Sequence, residues 1–303
     1  MEFIGKTTID FIGKKNISFV ISSIIAILGI IGIIQIARGA ANMGIDFSGG
    51  TAVQLKFAQP VPIQEARAAL AKHNLKEANL QEIKEGNKLL IKVGKTAAGQ
   101  QGKAADAIEN AFRQELPGNQ FVVESSSEIG PAIGDKLRQD TLVAVMISMV
   151  GIVIYIAWRF DFQFGIGALV ATMHDVLAMF AVFFVLNKEV NLLFITAVLT
   201  IAGYSLTDTV VVFDRIRENL HKNTKDSLTS IFNVSINEVL SRTIITSLTT
   251  FLAAGSLFFF GGEVIHDFAL ALLIGIAVGT YSSVFVASPI VAVWEGRTKA
   301  SKA

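Results

Sequence analysis

The chain has 303 residues, with Lys+Arg 26 against Asp+Glu 25 and a net charge of +1, which excludes a strongly basic nucleic-acid binder. It holds no cysteine, so disulfides, zinc–thiolate sites and cysteine nucleophiles are excluded as well. Mean hydropathy is +0.55, and the charges crowd into residues 54–138 and 213–242, the distribution of a multi-span membrane protein.

A helix needs about 20 mostly apolar residues to cross a hydrocarbon core of roughly 30 Å. Stretches 19–37, 140–158, 164–186, 190–213, 239–260 and 268–294 qualify. The first, FVISSIIAILGIIGIIQIA, exceeds the roughly 7–15 apolar residues of a signal peptide and reads as an uncleaved anchor. The expected plan is a cytoplasmic segment 1–18, helix 1 over 19–38, an exported domain 39–138, helices 2–6 within 139–294, and a cytoplasmic tail 295–303. Cations near span ends set the orientation. Lys14, Lys15, Arg159, Arg215, Arg217, Lys222, Arg242 and Arg297 share one side, whereas the short loops 187–190 and 261–267 carry one Lys and no Arg. Both termini are therefore expected in the cytoplasm.

Within 39–138, Thr51–Phe57 alternates as a strand, and Pro62 precedes the helical run IQEARAALAKHN. Two strands follow, joined at Glu85-Gly86-Asn87, a hairpin signal. Residues 97–116 become helical toward Pro117-Gly118, and Phe121–Glu124 is a last strand. The order β-α-β-β-α-β predicts a ferredoxin-like split arrangement. The fold class is thus a polytopic α-helical membrane protein with six transmembrane helices and an α+β ferredoxin-like exported domain between helices 1 and 2. The domain's one imidazole, His73, reads as a solvated residue at a helix end, with no second His or Cys near it. No metal site, cofactor or catalytic constellation is expected.

Ionisable groups inside a bilayer are costly and default to functional hypotheses. His174 and Asp175 fall near the middle of the third span, Asp208 lies in the fourth, and Arg242 begins the fifth. Thr200, Tyr204 and Asp208 recur at i, i+4, i+8 with Thr207 alongside, and Arg242, Thr246 and Thr249 share one face of span five beside Thr243, Ser247 and Thr250. Such stripes are expected to face each other, a partner or a water-filled path, with an Asp208–Arg242 pair as the proposed contact. The bland alternative is a hydrogen-bond network that only holds helices together. It weighs most for His174 and Asp175, because adjacent helical residues point about 100° apart and are not expected to share one site. Gly275 and Gly279 form a G-x-x-x-G in span six, which reads as close helix packing. Pro289 is expected to kink that helix.

Six motifs stand in order: GIDFSGG at 44–50, GPAIGDKL at 130–137, HDV at 174–176, GYSLTDTVVVFDRIREN at 203–219, SRTIITSLTT at 241–250 and GTYSSVFVASP at 279–289. Together they closely resemble the SecF family, the smaller membrane subunit of the SecDF protein-export complex and a branch of the RND superfamily. The resemblance implies a protein translocase subunit, not an enzyme. It implies a heterodimer with SecD that uses the proton-motive force to assist export through the SecYEG channel, with accessory translocase subunits, the translocating polypeptide and membrane lipid as further partners. By motif it assigns Asp208 and Arg242 to a proton relay; the polar residues His174, Asp175, Tyr204, Thr207 and Thr246 inside the spans are the auxiliary candidates. Thr207 departs from the Asn common before that Asp. It implies the bacterial cytoplasmic (inner) membrane. The competing reading is an RND-like proton-coupled transporter of a small molecule or lipid, whose usual chain has twice as many spans.

Overall fold

The structure is a computed structural model and describes residues 7–38, 42–83, 86–94, 104–222 and 226–300. The chain divides into two compact units, Met43–Val143 and a helical unit formed by Met1–Asn42 with Ala144–Ala303.

The smaller unit contains α2 (Ile45–Ser48), β1 (Gly50–Phe57), α3 (Ile63–Lys72), β2 (Asn79–Ile83), β3 (Lys88–Gly94), α4 (Ala104–Glu115) and β4 (Phe121–Ile129). The strands form one antiparallel sheet in the order β2-β3-β1-β4, the ferredoxin-like arrangement the sequence predicted. Strand alternation turns Val53, Leu55 and Phe57 inward with Leu89, Ile91 and Val93, against Ala66, Leu70, Ile108 and Phe112 of the two helices. Phe57, Phe112 and Phe121 meet with ring centroids 5.4–6.4 Å apart. In the hairpin, Gly86 and Asn87 both take positive φ; Glu85 lies outside the described residues.

β4 runs to Ile129, five residues past the predicted end. Ser125, Ser126, Ser127 and Glu128 look unlike a strand in sequence, yet they pair with β1 as an edge whose side chains are mostly exposed. The register breaks between Gln54 and Leu55, leaving Glu124 as a bulge residue that turns to Lys88 and Gln54, each at 2.9 Å. The double glycine Gly49-Gly50 has φ of 68° and 140°, and a Cβ on Gly50 would strike the Val93 carbonyl. A Cβ on Gly134 would come within 3.1 Å of the Gly49 nitrogen, so the GIDFSGG and GPAIGDKL segments meet at a close backbone approach.

Six helices are long and apolar enough to cross a membrane. They are α1 (Lys15–Ala37, entered through a 3₁₀ turn at Ile12–Lys14), α5 (Pro131–Arg159), α6 (Phe162–Val185), α7 (Leu192–Lys222), α8 (Leu228–Phe260) and α9 (Glu263–Ser282) with its continuation α10 (Ser288–Ala300). α7 and α8 extend well beyond their predicted spans, because polar residues such as Arg215, Glu218, Asn233 and Glu238 continue the helices outside the apolar stretch. The break before Pro289 takes the form of a π-helical turn, Ser283–Ala287. There Ser288 donates its hydroxyl to the Ser283 carbonyl five residues back. Proline lacks the N–H an α-helix would need at that point, and a wider turn absorbs the loss.

Small residues let the helices of this unit approach closely. A Cβ on Gly29 of α1 would strike the Leu177 carbonyl of α6, and one on Gly275 of α9 would come 2.5 Å from Ile201 of α7. The N-terminal segment is tied to α8: Asn233 accepts from the Phe11 and Ile12 amides, and Asn237 accepts from Ile9 N–H and donates to its carbonyl. Phe11 and Ile12 are buried there.

Candidate functional site

Asp208 stands on α7, and the two side chains that act on it, Thr243 and Arg242, stand on α8. Asp208 is half-buried, and its Oδ2 has no hydrogen-bond partner among the described residues. Thr243 of α8, 1% exposed, has no close hydrogen-bond partner of its own, and its hydroxyl acts on the Asp208 carboxyl as a donor. Arg242 acts on Asp208 through space only. No ion pair within 4.0 Å joins them among the described residues, and Arg242 is exposed. The acid therefore sits inside the helical unit with an open acceptor and a cation within electrostatic range.

The polar stripes divide by depth. Thr200 and Thr207 are exposed, with hydroxyls turned back to the carbonyls of Thr196 and Gly203 on their own helix. Tyr204 is half-buried, and Thr246 and Thr249 are exposed. Thr243 and Ser247 face inward, and Ser247 accepts a hydrogen bond from Thr280 of α9 at 2.7 Å. Gly279 lies against Ser205 of α7, where an added Cβ would come within 3.0 Å of its side chain.

The second polar cluster corrects an expectation. His174 and Asp175 do share one site: both are buried, and His174 Nδ1 lies 3.2 Å from Asp175 Oδ1. The two Cα–Cβ bonds diverge, but an imidazole is long enough to curl back onto the next carboxylate. Asp175 Oδ2 accepts hydroxyls from Ser205 of α7 at 2.5 Å and Ser282 of α9 at 2.9 Å. One carboxylate thus ties α6, α7 and the end of α9 together. One turn on, the hydroxyls of Thr209 and Ser283 lie 3.0 Å apart, joining α7 to the π-turn. Sequence reasoning missed Ser205 and gave Ser282 and Ser283 no role beyond close packing; their signal is hydroxyls inside the same GYSLTDT and GTYSS motifs that supplied Asp208 and Gly279.

The other histidines stand elsewhere. His73 caps α3 with Nε2 3.5 Å from Glu115 and is partly covered, against a fully solvated expectation. His221 bonds the Arg217 carbonyl, and His266 stacks on Phe258 with ring centroids 4.2 Å apart. No group of three or more His, Cys, Asp or Glu that could hold a metal exists among the described residues.

The sequence profile described as "Protein export membrane protein SecD/SecF, C-terminal" matches residues 108–297, and the "SecD/SecF GG Motif" matches residues 41–61. A protein translocase subunit SecF from Thermodesulfovibrio yellowstonii is 56% identical over 96% of each chain. One from Calditerrivibrio nitroreducens is 41% identical over 94% of this chain and 93% of its own. The crystal structure of SecDF, a translocon-associated membrane protein from Thermus thermophilus, superposes with a TM-score of 0.85 at 35% identity. That match covers 96% of this chain but only 39% of the SecDF chain. A second SecDF structure, in a super-membrane-facing form, gives a TM-score of 0.70 over 99% of this chain and 40% of its own. With near full-length identity to translocase subunits and a profile spanning most of its membrane helices, the chain belongs to the SecF family of protein translocase subunits.

Proposed function

We propose that the chain works with SecD as a proton-driven subunit that assists protein export through the SecYEG channel of the bacterial inner membrane. The relatives' names support export, and the fit of this whole chain into 39% of a SecDF chain supports SecD as the partner that fills the remainder. One observation carries the ion coupling: Asp208 offers an unpartnered carboxylate oxygen inside a transmembrane helix, with Thr243 beside it and the charge of Arg242 in range. A proton taken up there removes the charge that attracts Arg242. Asp208 and Arg242 stand farther apart than 4.0 Å, so their attraction is weaker than the roughly 4 kcal/mol of a contact pair in an effective dielectric of 20, and one proton removes it from the packing of α7 on α8. Close glycine packing at Gly275 and Gly279 offers the surface along which α9 moves against α7. Tyr204, Thr207 and Thr246 line the outer part of this path.

The orientation follows from the cations: both termini cytoplasmic, and residues 39–138 outside. Asp208→Asn keeps the volume and removes the titration. In vesicles containing this chain, SecD and SecYEG, gradient stimulation of export is expected to fall to the level of vesicles lacking the chain. A pull-down should show normal assembly with SecD. Arg242→Met should behave alike. Wild-type stimulation by an assembled Asp208→Asn complex would refute the relay. A cysteine at Asn87 should react with an impermeant thiol reagent from outside and one at Asn223 should not; the reverse pattern would overturn the orientation.

A further inference from the structure

We propose that His174 is a second proton-loading station, on α6, with Asp175 as its fixed counter-ion. The proposal rests on the ion-coupled reading above but stands on a different cluster. Every polar atom of the cluster except one is engaged. Asp175 Oδ2 takes two hydroxyls and Oδ1 faces His174 Nδ1. Ser283 is bonded to the Gly279 carbonyl and sits against Thr209. The exception is His174 Nε2, which has no hydrogen-bond partner among the described residues although the residue is only 5% exposed.

Such an atom has two forms. In the neutral ring Nδ1–H donates to the carboxylate and Nε2 keeps a bare lone pair. A proton delivered by water adds to that lone pair and leaves by the same atom; no other bond forms or breaks. The product is an imidazolium whose Nδ1–H still faces Asp175, so the new charge is created next to its counter-charge. Imidazole is the side chain suited to such exchange between about pH 5 and 8. A buried orphan nitrogen held against a buried carboxylate is therefore a place where a proton can be stored.

The groups bonded to the pair or beside its ring come from two neighbouring helices. α7 presents Ser205 and α9 presents Ser282. α9 also presents Tyr281, whose ring lies 6.1 Å from the imidazole and whose hydroxyl meets Ser18 and Ser22 of α1. Tyr281 is the titratable group among them, and Asp208 lies three residues past Ser205 on α7. α10 packs on α6 through Val291 at Gly167, two turns away from His174. Loading the ring changes what Asp175 bonds to. With a neutral ring, the carboxylate holds α7 and α9 through charge-assisted hydrogen bonds, roughly twice as strong as neutral ones. With an imidazolium, the same charge is shared with α6 itself, and the grip on Ser205 and Ser282 loosens.

The test is the ¹⁵N spectrum of histidine-labelled full-length chain in vesicles with SecD, between pH 5 and 8. Replacing His73, His221 and His266 by Asn leaves His174 as the sole imidazole. The Nε2 resonance is expected to move from the neutral to the protonated position across that range. Asp175→Asn, which removes the counter-charge, should leave Nε2 in the neutral position throughout, whereas Ser205→Ala should leave the wild-type change in place. A ring that stays in one neutral tautomer from pH 5 to 8 would overturn the proposal. So would protonation of Nε2 in the Asp175→Asn variant to the same extent as in the wild type. The readout needs no export, so a failed Asp208 relay and a failed His174 station give separate results.

Discussion

The sheet unit at Met43–Val143 and the helical unit both enclose apolar side chains, but the helical unit encloses many more polar ones. Inside the sheet unit the enclosed groups are Phe, Leu, Ile and Val, and the buried polar residues among those described are Thr51 and Gln54 alone. Inside the helical unit lie Ser18, Ser22, Thr172, His174, Asp175, Ser205, Thr209, Thr243, Ser282, Ser283 and Ser288. Its outside carries Ile17, Ile24, Met146, Ile147, Ile154, Leu252 and Phe259. The solvent explains the difference. Water drives apolar groups inward, at roughly 25 cal/mol per Å². Lipid is as apolar as leucine and exerts no such drive, so helices are held by close packing and by hydrogen bonds that lipid cannot offer. The charges follow the same division: Asp175 and Asp208 are enclosed or half-enclosed, whereas the sheet unit's ion pairs lie at its surface.

The contrast can be attacked first at the aromatic centre of the sheet unit. Residues 39–138, expressed alone, are expected to fold. Phe112→Ala should cost about 3–5 kcal/mol, the range for deleting a buried ring. For a domain of this size that lowers Tm by at least about 12 °C, read by circular dichroism. A shift of only a few degrees would mean that the unit does not depend on its apolar core.

Packing in the helical unit is the next target. Gly29→Ala places a methyl against the Leu177 carbonyl, and backbone on both sides limits relaxation. A loss of about 1–3 kcal/mol is expected from overpacking, seen as a lower unfolding temperature in detergent. Gly203→Ala and Gly255→Ala project into open space and should leave that temperature unchanged. Equal behaviour of all three variants would refute close packing as the source of stability.

The smallest effect concerns charge at the sheet surface. Hydrogen bonding from Lys88 holds the Glu124 carboxyl below the ordinary carboxylate range, against a smaller opposing effect of burial. A depressed folded pKa stabilises the fold above the unfolded pKa of about 4.3, and that contribution is lost as pH falls through the folded pKa. Glu124→Gln should therefore lower Tm at pH 7 by no more than about 8 °C, since a partly exposed pair contributes at most about 1 kcal/mol. The difference from wild type should shrink below about pH 4. A difference that persists undiminished to pH 2 would point to the bulge geometry in place of the charge.

Much of this architecture is legible in local pattern. Apolar runs of some 20 residues have one stable answer in a bilayer, and alternation in Thr51–Phe57 has one in a soluble sheet. Asp208 was legible too, because a carboxylate in an apolar helix stands out by itself. The polar tail of β4 was not: Ser125–Glu128 has strand geometry only because β1 offers it a ladder. The reach of His174 onto Asp175 was not legible either, since helical angles describe Cβ directions and not where a ring ends.

By itself the sequence determined six membrane helices, a β-α-β-β-α-β insert and the membership of a family, all of which depend on residues near one another in the chain. Tertiary structure alone decided which hydroxyls matter. Thr207 and Ser205 are two residues apart on one helix, in one motif. Thr207 returns its hydrogen bond to Gly203 on its own helix and faces outward. Ser205 gives its own to Asp175, 30 residues away in the chain, and is closed in by α6 and α9. A helical hydroxyl can always satisfy itself on the carbonyl one turn back. Only a neighbouring helix that brings a stronger acceptor within reach turns it outward, and that neighbour is a fact of packing.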